Sequence, residues 1–280
     1  MIRLAVRAAR ADAPALLAEL LVFSPAGLEE VDIDDETVEY AIYGAPGALP
    51  SAAELAANSD VALLAVHTSE VADDWSERWR EFHQPTVVSE RLYVRPPWLP
   101  PRRQSDRGAP LIDLVIEPGQ AFGTGAHATT RLCLELLVAR ERDGAAHGSL
   151  LDLGCGSGVL AIAAAKLGWS PVTALDHEAE SVAAARANAE ANAVAITVRR
   201  ADLHTDALDP AQTVVANLLR PLLLELSARL EHRPRYLIAS GLLADQGDEL
   251  AAELAARHGL QERRRERDGD WLALAFEPAA

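Results

Sequence analysis

Leu151-Asp152-Leu153-Gly154-Cys155-Gly156-Ser157-Gly158 joins a short apolar run, Leu150 to Leu153, to a longer alanine-rich one, Gly158 to Leu167. The first has the length of a buried strand and the second that of a helix. Glycines at 154, 156 and 158 permit φ > 0 and let backbone N–H groups approach a ligand at the start of the helix. The dinucleotide pattern GxGxxG would require glycine at 159, where Val159 stands, so the spacing is GxGxG. Twenty-two residues beyond Gly154, Asp176 closes the next predicted strand, Val172 to Asp176. An acid there accepts hydrogen bonds from both ribose hydroxyls of a nucleoside. Loop, acid and strand order together predict a nucleoside-cofactor site. The plainer alternative is a tight strand-to-helix turn with a solvated aspartate.

Outward from this loop, strands and helices alternate. Ala195 to Arg199, Thr213 to Asn217 and Arg235 to Ser240 read as strands, and Glu178–Asn192, Leu219–Glu231 and Asp245–His258 as helices. Gln261–Arg267 and Trp271–Phe276 flank Asp268-Gly269-Asp270, a hairpin signal. Repeated βα units predict a mostly parallel sheet, and the hairpin brings the strand count to seven.

The front of the chain differs. Residues 1–70 hold twelve acids against three arginines, clustered from Glu29 to Glu39. Ile2–Val6, Val38–Tyr43 and Val61–His67 read as strands, Pro14–Val22 and Ser51–Ala57 as helices, an order that predicts a small ferredoxin-like α+β domain. From 71 to 110, Trp75, Trp79 and Phe82 recur at helical spacing before a proline-rich stretch, which reads as a linker helix and an extended connector. The expected domains are thus 1–70, 71–110 and 111–280.

Composition narrows the function. With 280 residues, 49% apolar and 24% charged, the chain has the profile of a globular protein of two units. The apolar run Val159–Ala165 is far short of a membrane span, and Asp12 and Glu19 spoil a leader peptide, so a cytoplasmic protein is expected. A net charge of −16 argues against nucleic acid and suits a basic partner. Two cysteines, scattered histidines and no HExxH leave no metal pattern. Lys166, the only lysine, is followed by Leu167-Gly168, which excludes a P-loop.

Beyond the glycine loop and Asp176, three further segments carry a resemblance. Glu117-Pro118-Gly119-Gln120-Ala121-Phe122-Gly123-Thr124-Gly125-Ala126-His127-Ala128-Thr129-Thr130 precedes the sheet, Val214-Val215-Ala216-Asn217-Leu218-Leu219 ends a strand, and Ser240-Gly241-Leu242-Leu243 ends the next. With Asp74-Trp75 and Gly269-Asp270-Trp271, they resemble the PrmA family, the ribosomal protein L11 methyltransferases, from about residue 71 to the end. In residues 1–70 only size and element order agree. The resemblance implies a Rossmann-like seven-stranded methyltransferase domain using S-adenosylmethionine, preceded by a substrate-recognition domain. It implies that Thr130 contacts the methionine end of the cofactor, Gly154 and Gly156 cradle it, Asp176 holds its ribose, and Asn217 lies beside the transferring methyl. It implies as substrate the lysine side chains, or the N-terminal amine, of a basic ribosomal protein. Ala126 and Ala128 stand where the family has threonine and proline, and Gln120 replaces an apolar residue, which alters the lid over the cofactor.

The chemistry agrees with that reading. Methyl transfer from a sulfonium is an in-line displacement, so the enzyme chiefly holds nucleophile, methyl and sulfur in line. An attacking lysine must be neutral, against a solution pKa of about 10.4. Burial disfavours its charged form and an uncharged acceptor such as Asn217 does not restore it. Leu218 and Leu219 stand where base and glutamine methyltransferases carry Pro-Pro-Tyr, which favours a flexible aliphatic amine. A turn-forming asparagine is the plain alternative for Asn217. His127 reads as structural in preference to a general base, Cys155 as a small filler, Cys133 as core, and Arg263-Arg264-Arg265 as a solvated strand face. The competing functions are the same chemistry on another protein or a small amine, an NAD-dependent oxidoreductase, disfavoured by Val159, and a cofactor-binding module without catalysis.

Overall fold

The computed structural model describes residues 2–21, 28–34, 36–44, 49–59, 61–70, 83–118, 125, 127–144 and 148–279. The helix expected around Trp75 and Trp79, and positions 119–124 and 126 of the glycine-rich run, lie outside them. The chain forms two compact units, Met1–Phe82 and His83–Ala280.

The first unit runs β1 (Ile2–Ala9), α1 (Ala13–Leu21), β2 (Glu29–Asp32), β3 (Thr37–Gly44), α2 (Ala52–Asn58) and β4 (Leu63–Glu70). Its sheet has the order β2-β3-β1-β4, antiparallel throughout, which is the ferredoxin-like arrangement. Alternation in β1 and β3 turns Leu4, Val6, Val38, Tyr40 and Ile42 toward Leu16 and Leu20 of α1. Ser51 and Glu54 form a capping box at the start of α2.

β2 was not among the expected strands, because Glu-Glu-Val-Asp has neither apolar alternation nor strand propensity. Two of its three acids, Glu29 and Asp32, are held by arginines of β1 and of the short turn after it. Arg3 donates to Glu29 at 3.1 Å and to Glu39 at 2.9 Å, Arg7 to Glu39 at 2.6 Å, and Arg10 to Asp32 at 2.6 Å. Burial pushes the Glu39 carboxyl up, but the bonds from Arg3 and Arg7 outweigh it and hold it below the usual range.

The second unit opens with a small sheet of β5 (Thr86–Val88), β6 (Leu92–Arg95) and β7 (Ile112–Val115). Two of these strands fall in the stretch read as an extended connector. The prolines bracket them, with Pro85 before β5 and Pro96 after β6, so the ladder loses no donor. Across β6 and β7, buried Arg95 grips Asp113 through two bonds of 2.8 Å.

Then follow α3 (Ala128–Arg142), β8 (Leu150–Leu153), α4 (Val159–Leu167), β9 (Val172–Asp176), α5 (Ala179–Ala191), β10 (Thr197–Arg200), β11 (Thr213–Asn217), α6 (Arg220–Arg229), β12 (Tyr236–Leu243), α7 (Gly247–His258), β13 (Leu260–Asp268) and β14 (Trp271–Pro278). The seven-stranded sheet has the order β10-β9-β8-β11-β12-β14-β13. Strands β8 to β12 run parallel, and β14 is antiparallel to both its neighbours. Apolar clusters cover both faces, one around α3, α4 and α5, the other around α6 and α7. Burial on both faces explains why Leu150–Leu153 and Val214–Ala216 read as apolar runs save for Asp152.

Candidate active site

In this topology the direction of winding reverses between β8 and β11, and a crevice at the carboxyl ends of those strands is the place for a ligand. The predicted site residues of the sheet sit at those ends. Gly154 follows β8, Asp176 closes β9, and Asn217 closes β11.

Gly154, Gly156 and Gly158 all take positive φ, at 70°, 51° and 80°. Side chains are also excluded by space, since a Cβ on Gly154 would lie 2.4 Å from Leu218 Cδ2 and one on Gly158 2.9 Å from Ala185 Cβ. Asp176 accepts the Gly156 amide hydrogen at 2.9 Å and the Glu178 amide at 3.0 Å, and is buried. The ribose acid of the sequence reading is therefore also the brace of the glycine turn.

Gly158 heads α4 without a side chain to cap it. Asp152 does this from the strand below, its Oδ2 accepting the Ala161 amide at 3.1 Å. Its other oxygen is buried without a partner among the described residues. Burial pushes this carboxyl up to about 7, against the Ala161 bond and with the charge of Asp176 adding to the rise.

Asn217 Nδ2 lies 3.4 Å from Thr130 Oγ1, so the fold brings these two expected residues together from positions 87 apart in sequence. Thr130 is buried in the first turn of α3. Asn217 pairs in register with Ser240, and the Leu218 amide donates to the Ser240 carbonyl at 3.0 Å. Gly241, at φ 89°, passes so close that a Cβ there would sit 2.3 Å from the Leu218 oxygen. Leu219 is 66% exposed beside Asn217, an aliphatic lip to the strand end.

His127 caps α3, its Nδ1 accepting the Thr129 amide. Burial, and then the charge of Arg131, lower its pKa, which keeps the ring neutral as that role requires. Cys133 and Cys155 are buried free thiols whose burial pushes their pKa up, the opposite of an activated nucleophile. Among the described residues no cluster of His, Cys, Asp or Glu is arranged to hold a metal.

Sequence reasoning passed over Asn188 and Asn192. Asn188 donates to the Ser157 carbonyl at 2.9 Å and accepts the Glu117 amide at 3.0 Å, while Asn192 bonds both backbone groups of Val115. They staple the approach to the glycine-rich run, and the glycine loop itself, onto α5. The available signal was their i, i+4 spacing in an alanine-rich helix.

Residues 9–278 match the family model described as ribosomal protein L11 methyltransferase (PrmA). The chain belongs to the ribosomal protein L11 methyltransferase family. The ribosomal protein L11 methyltransferase of Pseudomonas putida (strain GB-1) is 40% identical over 202 residues, covering 70% of this chain and 66% of that protein. The one from Alkaliphilus metalliredigens (strain QYMF) is 32% identical over 265 residues, covering 86% and 81%. A crystal structure of ribosomal protein L11 methylase from Lactobacillus delbrueckii subsp. bulgaricus superposes with a TM-score of 0.61 at 31% identity, over 71% of this chain and all of that one. Against the Pseudomonas relative and the one from Dechloromonas aromatica (strain RCB), this chain spans 66% and 65% of their length.

Ribosomal protein L11 methyltransferases imply S-adenosylmethionine as methyl donor, and the cradle fits it. Gly154, Gly156 and Gly158 hold positive φ and bring bare backbone to the carboxyl ends of the strands, Asp176 offers a carboxylate at the end of β9, and the unpartnered oxygen of Asp152 is a buried acceptor under the loop.

Proposed function

We propose that this chain transfers a methyl group from S-adenosylmethionine to an amine of a basic ribosomal protein, with lysine side chains of ribosomal protein L11 as the leading target. The observation that carries this reading is the Asn217 amide at the end of β11, held against Thr130 and one strand from the glycine cradle.

The cofactor supplies an electrophilic methyl on sulfur when bound. Gly154 and Gly156 admit it to the backbone, Asp176 holds its ribose hydroxyls, and Thr130 meets its methionine end. Asn217 is the catalytic residue. Its amide oxygen accepts a hydrogen bond from the incoming neutral amine and aims the lone pair, while its uncharged character gives no support to an ammonium. Leu218 and Leu219 present aliphatic surface suited to the methylene chain of lysine and offer no ring for a base to stack on.

In this reading residues 1–70 recognise the substrate and 111–280 bind cofactor and catalyse, with 71–110 leading from one to the other through β5 and β6. Recruitment of a basic protein falls to the outward acids Glu30, Asp34 and Glu36, because Glu29, Asp32 and Glu39 are already paired with Arg3, Arg7 and Arg10. No described helix is long and apolar enough to cross a membrane, and we assign the reaction to the cytoplasm, where ribosomal proteins are made.

The test is direct. Calorimetry with S-adenosylhomocysteine and with NAD should give binding to the first alone. Mass spectrometry of ribosomal proteins incubated with the enzyme and cofactor should show added methyl mass on the L11 protein. Binding of NAD instead, or no added mass, would reject the reading.

A further inference from the structure

The proposed chemistry gives no role to the last hairpin, yet that hairpin packs on the start of the helix that carries Thr130. The His127 ring meets Trp271 edge-on, with centroids 5.0 Å apart and planes at 66°. One turn along the same face of α3, Arg131 pairs with Asp268. Asp268 and Trp271 face each other across the turn that closes β13 and β14, where Gly269 takes φ 59°.

The same turn reaches the other side of the site. The Asp270 carbonyl accepts the Ala244 amide at 3.0 Å, and Trp271 pairs with Leu243. The Leu272 carbonyl accepts the Ser240 hydroxyl at 2.9 Å, and Ser240 is the register partner of Asn217. One hairpin therefore touches both supports of the proposed catalytic pair, the first turn of α3 and the end of β12.

We infer that Trp271 and Asp268 are positioning residues for methyl transfer, fixing Thr130 against Asn217 through His127 and Arg131. The inference rests on the reaction proposed above. A helix is weakest at its ends, where its first amides lack partners in the helix. The Thr130–Asn217 contact, at 3.4 Å, is near the limit of a hydrogen bond, so a small shift of that first turn breaks it. Misplacement by about 1 Å at a reacting centre costs on the order of a hundredfold in rate.

Trp271→Phe, Trp271→Ala, Asp268→Ala and the exchanged pair Arg131→Asp with Asp268→Arg test this in the full chain. Thermal midpoint, S-adenosylhomocysteine affinity, kcat and KM are measured for each, well below the midpoint. Trp271→Ala and Asp268→Ala are expected to lower kcat about tenfold or more with KM for the protein nearly unchanged. Trp271→Phe keeps an edge for His127, and the exchanged pair keeps the ion pair, so each should recover most of the loss. A normal kcat in folded Trp271→Ala and Asp268→Ala overturns the inference, and so does a loss that neither conservative variant recovers. If Trp271→Ala fails to fold, Asp268→Ala and the exchanged pair decide. Failure of the unaltered enzyme to bind S-adenosylhomocysteine would strike at the proposed reaction and not at this hairpin.

Discussion

Asp176 accepts the Gly156 amide hydrogen across 2.9 Å, and this bond ties the end of one strand to the glycine turn after its neighbour. The carboxylate is committed to the protein before any ribose arrives, so it is pre-oriented for one. Asp176→Ala removes the brace and, with it, the proposed ribose contact. Cofactor affinity should fall by about 1.5–3 kcal/mol, the range for hydrogen bonds to charged groups. An affinity within twofold of normal by calorimetry would show that Asp176 braces the loop only.

Asn217→Ala should act on turnover far more than on cofactor affinity. Removal of a comparable polar group that acts in the transition state costs roughly 2.7–4 kcal/mol. Single-turnover rates on the protein substrate, beside calorimetry with S-adenosylhomocysteine, separate the two effects. Near-normal turnover would leave Asn217 a strand terminator.

Gly241→Ala is predicted to damage the site from behind. The new methyl group would stand 2.3 Å from the Leu218 oxygen, at a φ of 89° that alanine adopts only under strain. A strained backbone residue costs of order 1–3 kcal/mol, and here relief requires Leu218 to move, and Asn217 with it. Thermal denaturation should show the loss of stability, and kcat should drop. An unchanged kcat with a lowered midpoint would separate Gly241 from positioning.

Asp152 makes stability depend on pH in a defined direction. An aspartate raised from 3.8 to about 7 by burial binds its proton more tightly folded than unfolded. Its contribution is complete below the unfolded pKa and is lost as pH rises through about 7. Asp152→Asn keeps an oxygen for the Ala161 amide and has no charge to bury. The thermal midpoint of the variant minus that of the unaltered enzyme should therefore be more positive at pH 8 than at pH 5. A difference independent of pH would mean that Asp152 does not ionise in that interval.

The strands that frame the site were legible because their ends are marked by residues with local meaning. Gly154, Asp176 and Asn217 each terminate an apolar run, and β8, β9 and β11 begin and end where the sequence set them. The illegible parts depend on partners far along the chain. β2 is a strand because Arg3 and Arg10 pair with its Glu29 and Asp32, and β6 is held by β5 on one side and on the other by β7, which lies beyond the prolines. The brace of Asp152 on Ala161 and the clasp of Asn188 on Glu117 are likewise tertiary facts, carried by side chains that a linear reading sees only as a polar interruption and a polar helix face.

The two outer strands of the seven-stranded sheet both carry guanidinium groups. Exposed Arg199 and Arg200 stand on β10, and exposed Arg263, Arg264, Arg265 and Arg267 on β13. A strand from a second molecule that tried to extend the sheet at either end would have to strip water from these charges and disturb the ion pairs that Arg199 makes with Asp209, Arg264 with Glu266 and Arg265 with Asp248. In a chain whose overall charge is −16, six of its 26 basic side chains are thus placed where strand-to-strand self-association would begin.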